Sequence, residues 1–335
     1  ARFSSSMPDM NLDNDYVVDE FEAIVDFWLE RGVKGFRLDA VTSFYTGNST
    51  KNVQFLTNFQ NYVKSKNPDA FVIGEAWENL NNVFYQYASS GMNFFNFPMS
   101  ELNYGGTAKS VQTMYGINFA RTLVNSEVQL KQVSSVAKNA LIISNHDMDR
   151  SAGYLLGDQG KIAASAYLLS PGYPFMYYGE EIGLKGSRGG AMTDANRRLP
   201  MIWSSTDDEG MCDNPPGADY DTQYQITNGA YDNLEIENSL TNHYKKVLNV
   251  RNKYGIIHDG LYNYTDTGND AIAMFTITKG SETIYLVHNF SNVAQTFDLG
   301  VSGLVIEEAI NTVGLAPTLD GQSLSVASSS SVILK

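Results

Sequence analysis

The strongest constraint on the fold is an alternation of helical and extended segments over residues 1–255. Within DYVVDEFEAIVDFWLER, residues 15–31, apolar side chains recur at helical spacing, and Gly32 then marks a helix end. An apolar strand pattern follows at once, and the same order recurs along the chain. Alternating strands and helices favour a parallel α/β sheet. We predict strands at residues 33–39, 71–75, 92–97, 140–145 and 174–178.

The segments between these strands predict helices, and the C-terminal segment has a different pattern. Helices are predicted at residues 53–65, 81–90, 108–136, 161–169 and 239–254. From residue 256 onward, short alternating segments such as DAIAMFTITKG and SETIYLVHNFS are separated by Gly and Asn. This pattern predicts an antiparallel β-sandwich. We therefore expect an α/β domain at residues 1–255 and a β-sandwich domain at residues 256–335.

Charge and composition exclude several kinds of partner. The 335 residues include 37 acidic and 23 basic side chains, a net charge of −14, which argues against nucleic-acid binding. No apolar run reaches the length of a membrane span, so we expect no membrane insertion. Cys212 is the only cysteine, which excludes an internal disulfide. The 20 Tyr residues and the low Lys content suit a bacterial protein that is extracellular or lies at the cell surface.

Three predicted strands end in carboxylates. Asp39 follows GFRL, Glu75 follows FVIG, and Asp147 closes LIISNHD. The C-terminal ends of parallel barrel strands share one face, where active sites form. Repulsion among three carboxylates should hold one of them neutral, which suits a general acid. Arg37 lies two residues before Asp39, on the same side of the strand, and would keep Asp39 ionised as a nucleophile.

Each of these strand ends has a plainer explanation when it is taken alone. A single Asp in this position usually caps a helix or forms an ion pair, and NHD is also compatible with a turn. The three carboxylates nevertheless occur in order, each closing a strand of one alternating pattern. Their joint occurrence favours a catalytic site.

The same motifs resemble those of a known enzyme family. GFRLDAV, VIGEAW and ISNHD resemble three hallmark motifs of the α-amylase family, glycoside hydrolase family thirteen, and MPDMN at residues 7–11 resembles a fourth. FMYYGEEIGL and RRLPMIW resemble its eighth strand and the segment after it. The resemblance implies an α/β fold, a (β/α)8 TIM barrel followed by a β-sandwich. Only about strands 4–8 of that barrel are matched, with strands 1–3 missing.

The resemblance also implies a mechanism. The enzyme would be a retaining glycoside hydrolase that cleaves α-1,4-glucosidic bonds of starch or maltooligosaccharides, endo-acting as an α-amylase. Asp39 would be the nucleophile, Glu75 the acid and base, and Asp147 the stabiliser of the transition state. His146 would contact the same sugar ring, and Arg37 would orient Asp39.

Further residues are candidates for the outer part of the site, although each has a plainer alternative. Trp77 would line the leaving-group side or anchor a loop, and Asn145 would contact sugar or form a turn. Asp194 and Arg198 would bind a distal sugar or be exposed loop charges. Asp9 matches a calcium position of the family, so we expect Ca²⁺ as a cofactor there unless Asp9 is a turn residue. No organic cofactor is expected.

The chain departs from the family in two respects. The segment that would carry strands 1–3 is absent, so we expect the missing N-terminal part of the same enzyme as a partner, beside the α-glucan substrate. Thr42 and Ser43 also stand where many α-amylases have Lys and His. Maltogenic amylase, neopullulanase and oligo-1,6-glucosidase activities remain alternatives within the family. A catalytically inactive relative that serves as a carbohydrate-binding or transporter-associated module is the alternative of another class.

Overall fold

The computed structural model describes residues 1–77, 81–100, 106–188, 194–206, 210–310 and 315–335. Within them the helices are, in chain order, α1 to α10: Asp15–Glu30, Ser49–Lys66, Asn81–Ala88, Phe97–Ser100, Thr107–Gln112, Gly116–Val133, Asp158–Leu168, Ala230–Glu235, Leu240–Lys253 and Ile256–Asp259. The strands are β1 to β12: Gly35–Leu38, Phe71–Gly74, Asn93–Phe95, Asn139–Ala140, Leu261–Thr265, Ile272–Lys279, Glu282–Asn289, Gln295–Asp298, Ile306–Ile310, Thr318–Asp320, Ser323–Val326 and Ser331–Leu334.

The chain divides into two compact units, each with its own core. The first unit comprises Ala1–Pro98 and Ser126–Ala140, and the second comprises Met99–Asn125 and Leu141–Lys335. The predicted domain boundary between residues 255 and 256 stays a prediction. No helix of the described part of the chain is both long and apolar enough to cross a bilayer.

The first unit contains a parallel sheet in the order β1-β2-β3-β4. Helices α1 and α2 are capped by Asn14 and Asn48, whose side chains accept hydrogen bonds from backbone N–H groups of the first turn. The core of this unit gathers Val25, Leu56, Val63, Val72, Phe84 and Phe94. The sheet therefore carries the first predicted strands at the predicted places.

One face of α1 is less covered than its sequence suggests. Val25 is buried, but Ile24, Phe27 and Trp28 are exposed. Several apolar side chains of α1 are thus uncovered within the described residues, and of these only Trp28 belongs to the predicted apolar face.

Two strand predictions need correction. The strand predicted at 140–145 is reduced to β4, and residues 174–178 form no strand. Phe175 N–H donates to Leu141 O at 2.8 Å, but the carbonyl of Tyr178 accepts from the Arg150 side chain and that of Tyr177 from the Glu180 N–H. Side-chain and turn hydrogen bonds thus replace a regular strand ladder. The described sheet accordingly has four strands where five were predicted.

The helix predicted at 108–136 is also two helices, α5 and α6. Met114 lies between them with φ +54°, a left-handed conformation that interrupts a right-handed helix. The other predicted helices are present with shifted ends.

The second unit contains two antiparallel sheets, with strand orders β5-β6-β7-β12-β9 and β10-β11-β8. Strand β6 shows how they are covered, because successive side chains of a strand point to opposite faces. Ile272 and Met274 join a core cluster with Phe297 and Leu324 of the smaller sheet. Phe275 lies in the other cluster, together with Phe119 of α6. Strands β9, β10 and β11 were not predicted from the sequence.

Candidate active site

The register of β1 and β2 places two carboxyls side by side in the first unit. Leu38 pairs with Gly74 in the parallel ladder, so Asp39 and Glu75 each follow the end of a neighbouring strand. The ladder continues through Glu75 N–H, which donates to Leu38 O at 2.9 Å, and Val41 N–H, which donates to Glu75 O at 3.0 Å. The backbone of Glu75 and the residues on either side of Asp39 are therefore fixed by hydrogen bonds.

Arg37 joins the two carboxyls. Its Nη1 donates to Asp39 Oδ1 at 2.5 Å, and its Nη2 donates to Glu75 Oε2 at 2.8 Å. The planar guanidinium is suited to such a fork of two charged hydrogen bonds. Arg37 thus sets the relative position of Asp39 and Glu75.

The two carboxyls differ strongly in their exposure. The side chain of Glu75 is 7% exposed, whereas that of Asp39 is 74% exposed. Burial, with a further contribution from its hydrogen bond to Asp39, raises the pKa of Glu75 to about 7, against the opposing charge of Arg37. Glu75 can therefore carry a proton near neutral pH, as a general acid must.

The residue after Asp39 has an unusual backbone. Ala40 lies at φ +44° and ψ +45°, in the left-handed region that residues other than glycine seldom adopt. Its N–H points to Glu75 Oε2 at 3.3 Å. Strained conformations of this kind cluster at functional sites.

An apolar cavity of about 250 Å³ borders Asp39. Its walls include Phe3, Leu12, Phe21, Phe44, Phe55 and Phe59, with Asp9 as a second carboxyl at the edge. Asp39 thus lies between the charged side chain of Arg37 and a cavity lined mainly by apolar side chains.

Trp77, predicted for the leaving-group side or as an anchor, stacks on Phe97. The ring centroids are 4.9 Å apart and the planes differ by 8°. This contact matches the anchoring role.

The second unit holds a separate group built around Asp147. Asp147 Oδ1 accepts a hydrogen bond from Arg198 Nη2 at 2.6 Å, and Oδ2 lies 2.9 Å from His146 Nε2. Arg198 Nε also donates to the carbonyl of His146 at 3.1 Å. The structure thus brings together three of the predicted site residues.

Asn145 shapes the turn that carries this group. Its Oδ1 accepts a hydrogen bond from Asp147 N–H at 2.8 Å. Such a side-chain hydrogen bond to the backbone two residues on is the Asx turn. Its observed contact is therefore the turn-forming one.

Arg197 was missed by the sequence analysis, although it is central here. Its Nη1 donates to Asp147 O at 2.7 Å and to Asp194 Oδ1 at 2.9 Å, and its Nε donates to Asp149 Oδ1 at 2.9 Å. Asp194, predicted to bind a distal sugar, is therefore an ion-pair partner of Arg197. The sequence signal for Arg197 was the first arginine of RRLPMIW, directly before the predicted Arg198.

The second unit also contains a buried carboxyl that was not predicted as functional. Glu180 accepts hydrogen bonds from Ser144 Oγ at 2.6 Å and Tyr167 OH at 3.0 Å. Complete burial nevertheless raises its pKa to about 7. Both of these side-chain donors to Glu180 are neutral hydroxyls, which suits a structural role.

Asp9, the predicted calcium ligand, lies 3.2 Å from the amino group of Ala1. Ca²⁺ takes about six to eight oxygen ligands. Among the described residues, no three His, Cys, Asp or Glu side chains gather in a way that would hold a metal ion. Asp9 alone therefore supplies too few ligands, and its role in calcium binding stays a prediction.

Comparison with known proteins gives consistent matches. A family model for the α-amylase catalytic domain matches residues 1–260. α-Amylase 3 of Dictyoglomus thermophilum is 35% identical over 310 residues, covering 89% of this chain and 58% of that relative. α-Amylase SusG of Bacteroides thetaiotaomicron is 29% identical over 299 residues, covering 83% of this chain and 42% of the relative.

A solved structure resembles the chain over its whole length. Amy13B of Eubacterium rectale matches with a TM-score of 0.93 and 32% identity, covering 100% of this chain and 66% of Amy13B. The chain therefore spans about half the length of the curated relatives that it matches, and two thirds of the solved one.

Proposed function

The chain belongs to the family of the α-amylase catalytic domain, and from this premise we propose that it acts as an endo-acting α-amylase on starch or maltooligosaccharides. A glycoside hydrolase fold of the TIM-barrel type follows from that membership. The observation that carries the proposal is the fork of Arg37, which holds Asp39 exposed and Glu75 buried.

The geometry of this pair favours a retaining reaction. Retaining glycosidases place their two carboxyls about 5–5.5 Å apart, and inverting ones about 6.5–9.5 Å apart. Because Asp39 and Glu75 bind the two terminal nitrogens of one guanidinium, the close arrangement is the one that they support.

In the first step, Glu75 donates its proton to the glycosidic oxygen while the C1–O bond breaks. The carboxylate of Asp39 attacks C1 and forms a covalent glycosyl ester. In the second step, the ionised Glu75 takes a proton from water, the water oxygen bonds to C1, and Asp39 leaves as a carboxylate. Each step returns Glu75 to the form that the other step needs.

Asp147 has the complementary task of stabilising positive charge on the sugar ring. Its carboxylate is oriented by Arg198 and His146, which leaves it positioned for a hydrogen-bonded contact with sugar hydroxyls. Hydrogen bonds that strengthen in the transition state contribute to this class of reaction. This role for Asp147 is part of the proposal.

The chain is proposed to work with a further N-terminal part that supplies barrel strands 1–3. The partial coverage of its relatives supports this. So do the exposed apolar side chains of α1, and the position of β1 at the edge of its sheet within the described residues. An uncovered strand edge is a site for further pairing. Residues 256–335, with their two antiparallel sheets, would be the C-terminal β-sandwich of such an enzyme.

Two further proposals concern conditions of action. Asp9 would contribute one carboxylate to a Ca²⁺ site whose other ligands come from the N-terminal part. The enzyme would work outside the bacterial cell or at its surface, where starch is available.

The test is the release of reducing sugar from soluble starch, pullulan and isomalto-oligosaccharides, with Glu75→Gln alongside. We expect cleavage of starch to mixed maltooligosaccharides and its loss in Glu75→Gln. Glu127→Gln is the matched control, since Glu127 is similarly buried in the same unit but hydrogen-bonds to Asn139.

Other results would revise the proposal in defined ways. If only 1,6-linked substrates are cleaved, the proposed α-1,4 specificity is wrong, while the proposed retaining mechanism still holds. No cleavage by the chain alone, restored when an N-terminal barrel portion is added, would identify an incomplete enzyme. No cleavage in either case would favour a non-catalytic binding module.

A further inference from the structure

Two aromatic rings form a small platform at the surface of the second unit. The ring centroids of Trp203 and Tyr231 are 6.1 Å apart, and their planes are inclined by 33°. Tyr231 is 63% exposed, and Trp203 is half-buried. An exposed aromatic ring that is paired with a second ring offers more apolar surface to a ligand than a single exposed ring does.

The backbone beneath the platform is held firmly. Tyr231 N–H donates to Trp203 O at 2.8 Å, and Ala230 N–H donates to Ile202 O at 3.0 Å. Gly229 permits this close approach, because a Cβ there would lie 2.3 Å from the carbonyl carbon of Trp203. The two rings therefore start from fixed neighbouring positions.

Asp232 adds a second tie between the two segments. Its Oδ2 accepts hydrogen bonds from Ser205 N–H at 2.6 Å and Gly229 N–H at 2.7 Å. These backbone donors also lower the pKa of Asp232, so it remains ionised and keeps both bonds over the neutral range. Four hydrogen bonds from backbone N–H groups therefore fix the segments that carry the two rings.

The chemistry of the platform fits a neutral sugar. Aromatic faces carry negative charge density and attract the weakly positive C–H groups on the apolar face of a pyranose. Hydroxyls of Ser204 and Thr206, 3.3 Å apart, lie directly after Trp203 and can meet sugar hydroxyls at the rim. A net charge of −14 repels anionic ligands but not a neutral polyol.

The angle between the two ring planes restricts which sugar chains can stack on both rings. Two stacked pyranoses on planes that differ by 33° must themselves be inclined, as consecutive units are in a curved chain. An α-1,4-glucan curves in this way, whereas a flat extended β-linked chain does not.

We propose that Trp203 and Tyr231 form a glucan-binding platform that stacks two consecutive sugar rings of an α-1,4-glucan. The choice of an α-glucan rests on the proposed function, while the platform itself rests on the geometry of the two rings. Its effect is to hold a long polymer on the protein between cleavage events, so it serves polymeric substrates more than short ones.

The test measures binding without cleavage, in the Glu75→Gln background. β-Cyclodextrin, a closed ring of α-1,4-linked glucose, is titrated by calorimetry, and retention by soluble amylopectin is measured in native gels. Tyr231→Ala should weaken β-cyclodextrin binding about 10-fold or more and reduce retention by amylopectin. Tyr231→Trp, which keeps an aromatic face, should bind nearly as well as the parent.

Tyr224→Ala is the matched control, because Tyr224 is 62% exposed in the same unit but has no partner ring among the aromatic pairs of the described residues. It should bind as the parent does. Trp203→Ala gives a second test if the thermal stability of the variant is unchanged, and Trp203→Phe is its conservative counterpart.

Every outcome decides between the two proposals. Equal binding by Tyr231→Ala and its parent, or no binding of either glucan by the parent, overturns the platform. Loss of binding in Tyr231→Ala, in a chain whose parent form cleaves no starch even when an N-terminal barrel portion is added, supports the platform and contradicts the α-amylase activity. If the parent cleaves starch and Tyr231→Ala binds glucan as well as the parent does, the α-amylase activity is supported and the platform is contradicted.

Discussion

Glu75 Oε2 accepts a hydrogen bond from Arg37 Nη2 at 2.8 Å inside a nearly closed environment, where the Glu75 side chain is only 7% exposed. Burial raises the pKa of Glu75 while the charge of Arg37 lowers it, and burial prevails. The same guanidinium binds Asp39, so one side chain acts on both carboxyls.

Arg37→Lys should therefore reduce starch hydrolysis sharply. Lysine keeps the charge but cannot form two parallel hydrogen bonds to two carboxyls. Loss of one charged hydrogen bond, roughly 1.5–3 kcal/mol, corresponds to about a 10- to 100-fold fall in kcat/KM. The control is Arg31→Lys, whose side chain bonds to the Phe27 carbonyl at the end of α1 and should leave activity intact. An active Arg37→Lys would contradict the role of the fork.

The rate of hydrolysis should fall on the alkaline side of pH 7. Glu75 must be protonated to act as general acid, and its pKa is raised to about 7. We expect kcat/KM to decline with an apparent pKa near 7 in a series from pH 5 to 9. Samples held at each pH and assayed again at pH 6 separate titration from unfolding. A rate that stays constant up to pH 9 is incompatible with Glu75 as the acid.

Glu180 should make the free energy of unfolding fall as the pH rises. A carboxyl whose pKa is raised on folding favours the folded state below its ordinary pKa of 4.5, and this contribution is lost as the pH rises to about 7. The free energy of unfolding changes by at most roughly 1.4 kcal/mol per pH unit for one such group. Glu180→Gln should flatten the fall of Tm between pH 5 and 8.

The comparison for that experiment is Glu282→Gln, which alters an exposed carboxyl of the same unit. Its Tm profile should follow that of the unaltered chain. Identical profiles for both variants would show that the buried carboxyl does not titrate in this range.

Arg197→Gln should lower kcat more than it changes KM for starch. Arg197 holds the carbonyl of Asp147 at 2.7 Å, so its loss would misplace a group that acts in the transition state. We expect a decrease of about 10-fold or more. Arg121→Gln, which removes an exposed ion pair with Asp266 at 2.8 Å, is the matched control.

A double-mutant cycle shows whether Arg197 acts through Asp147. In an Asp147→Asn background, Arg197→Gln should cost little additional activity, because the group that it positions is already impaired. Fully additive losses would indicate a merely structural role.

Phe119→Ala should strongly destabilise the chain. Phe119 is completely buried and contacts Phe275 of β6, with ring centroids 6.1 Å apart. Removal of a buried phenyl ring costs about 3–5 kcal/mol of unfolding free energy, measurable in urea. Val128→Ala, at an exposed site of the same helix, should change it by less than about 0.5 kcal/mol. Similar losses in both variants would contradict this packing role.

Much of the α/β pattern could be predicted because it is local. Helices α1, α2 and α9 follow apolar spacing and capping residues, and Asp39 and Glu75 were identified from charges that end apolar strands. Strand β10 could not be found in this way, since its three residues offer too short an alternation. Residues 174–178 look like a strand, but the Arg150 side chain takes a carbonyl that a ladder would use.

The function of Arg197 depends on contacts that sequence spacing does not encode. Its partners Asp147 and Asp149 lie some fifty positions earlier in the chain. Glu180 is similar, because its raised pKa comes from burial by α7 and α9. Sequence patterns locate residues of the right chemistry, whereas these pairings depend on the folded chain.

The pairing of Leu38 with Gly74 has a consequence for how such a site can change over time. A slip of one residue between β1 and β2 would turn every side chain of the shifted strand to the opposite face. Arg37 would then lose its hydrogen bond to Asp39 or Glu75 in one step, because no intermediate register exists in which both bonds are only weakened. Lineages that inherit this scaffold can therefore only keep the register of this ladder or lose it abruptly.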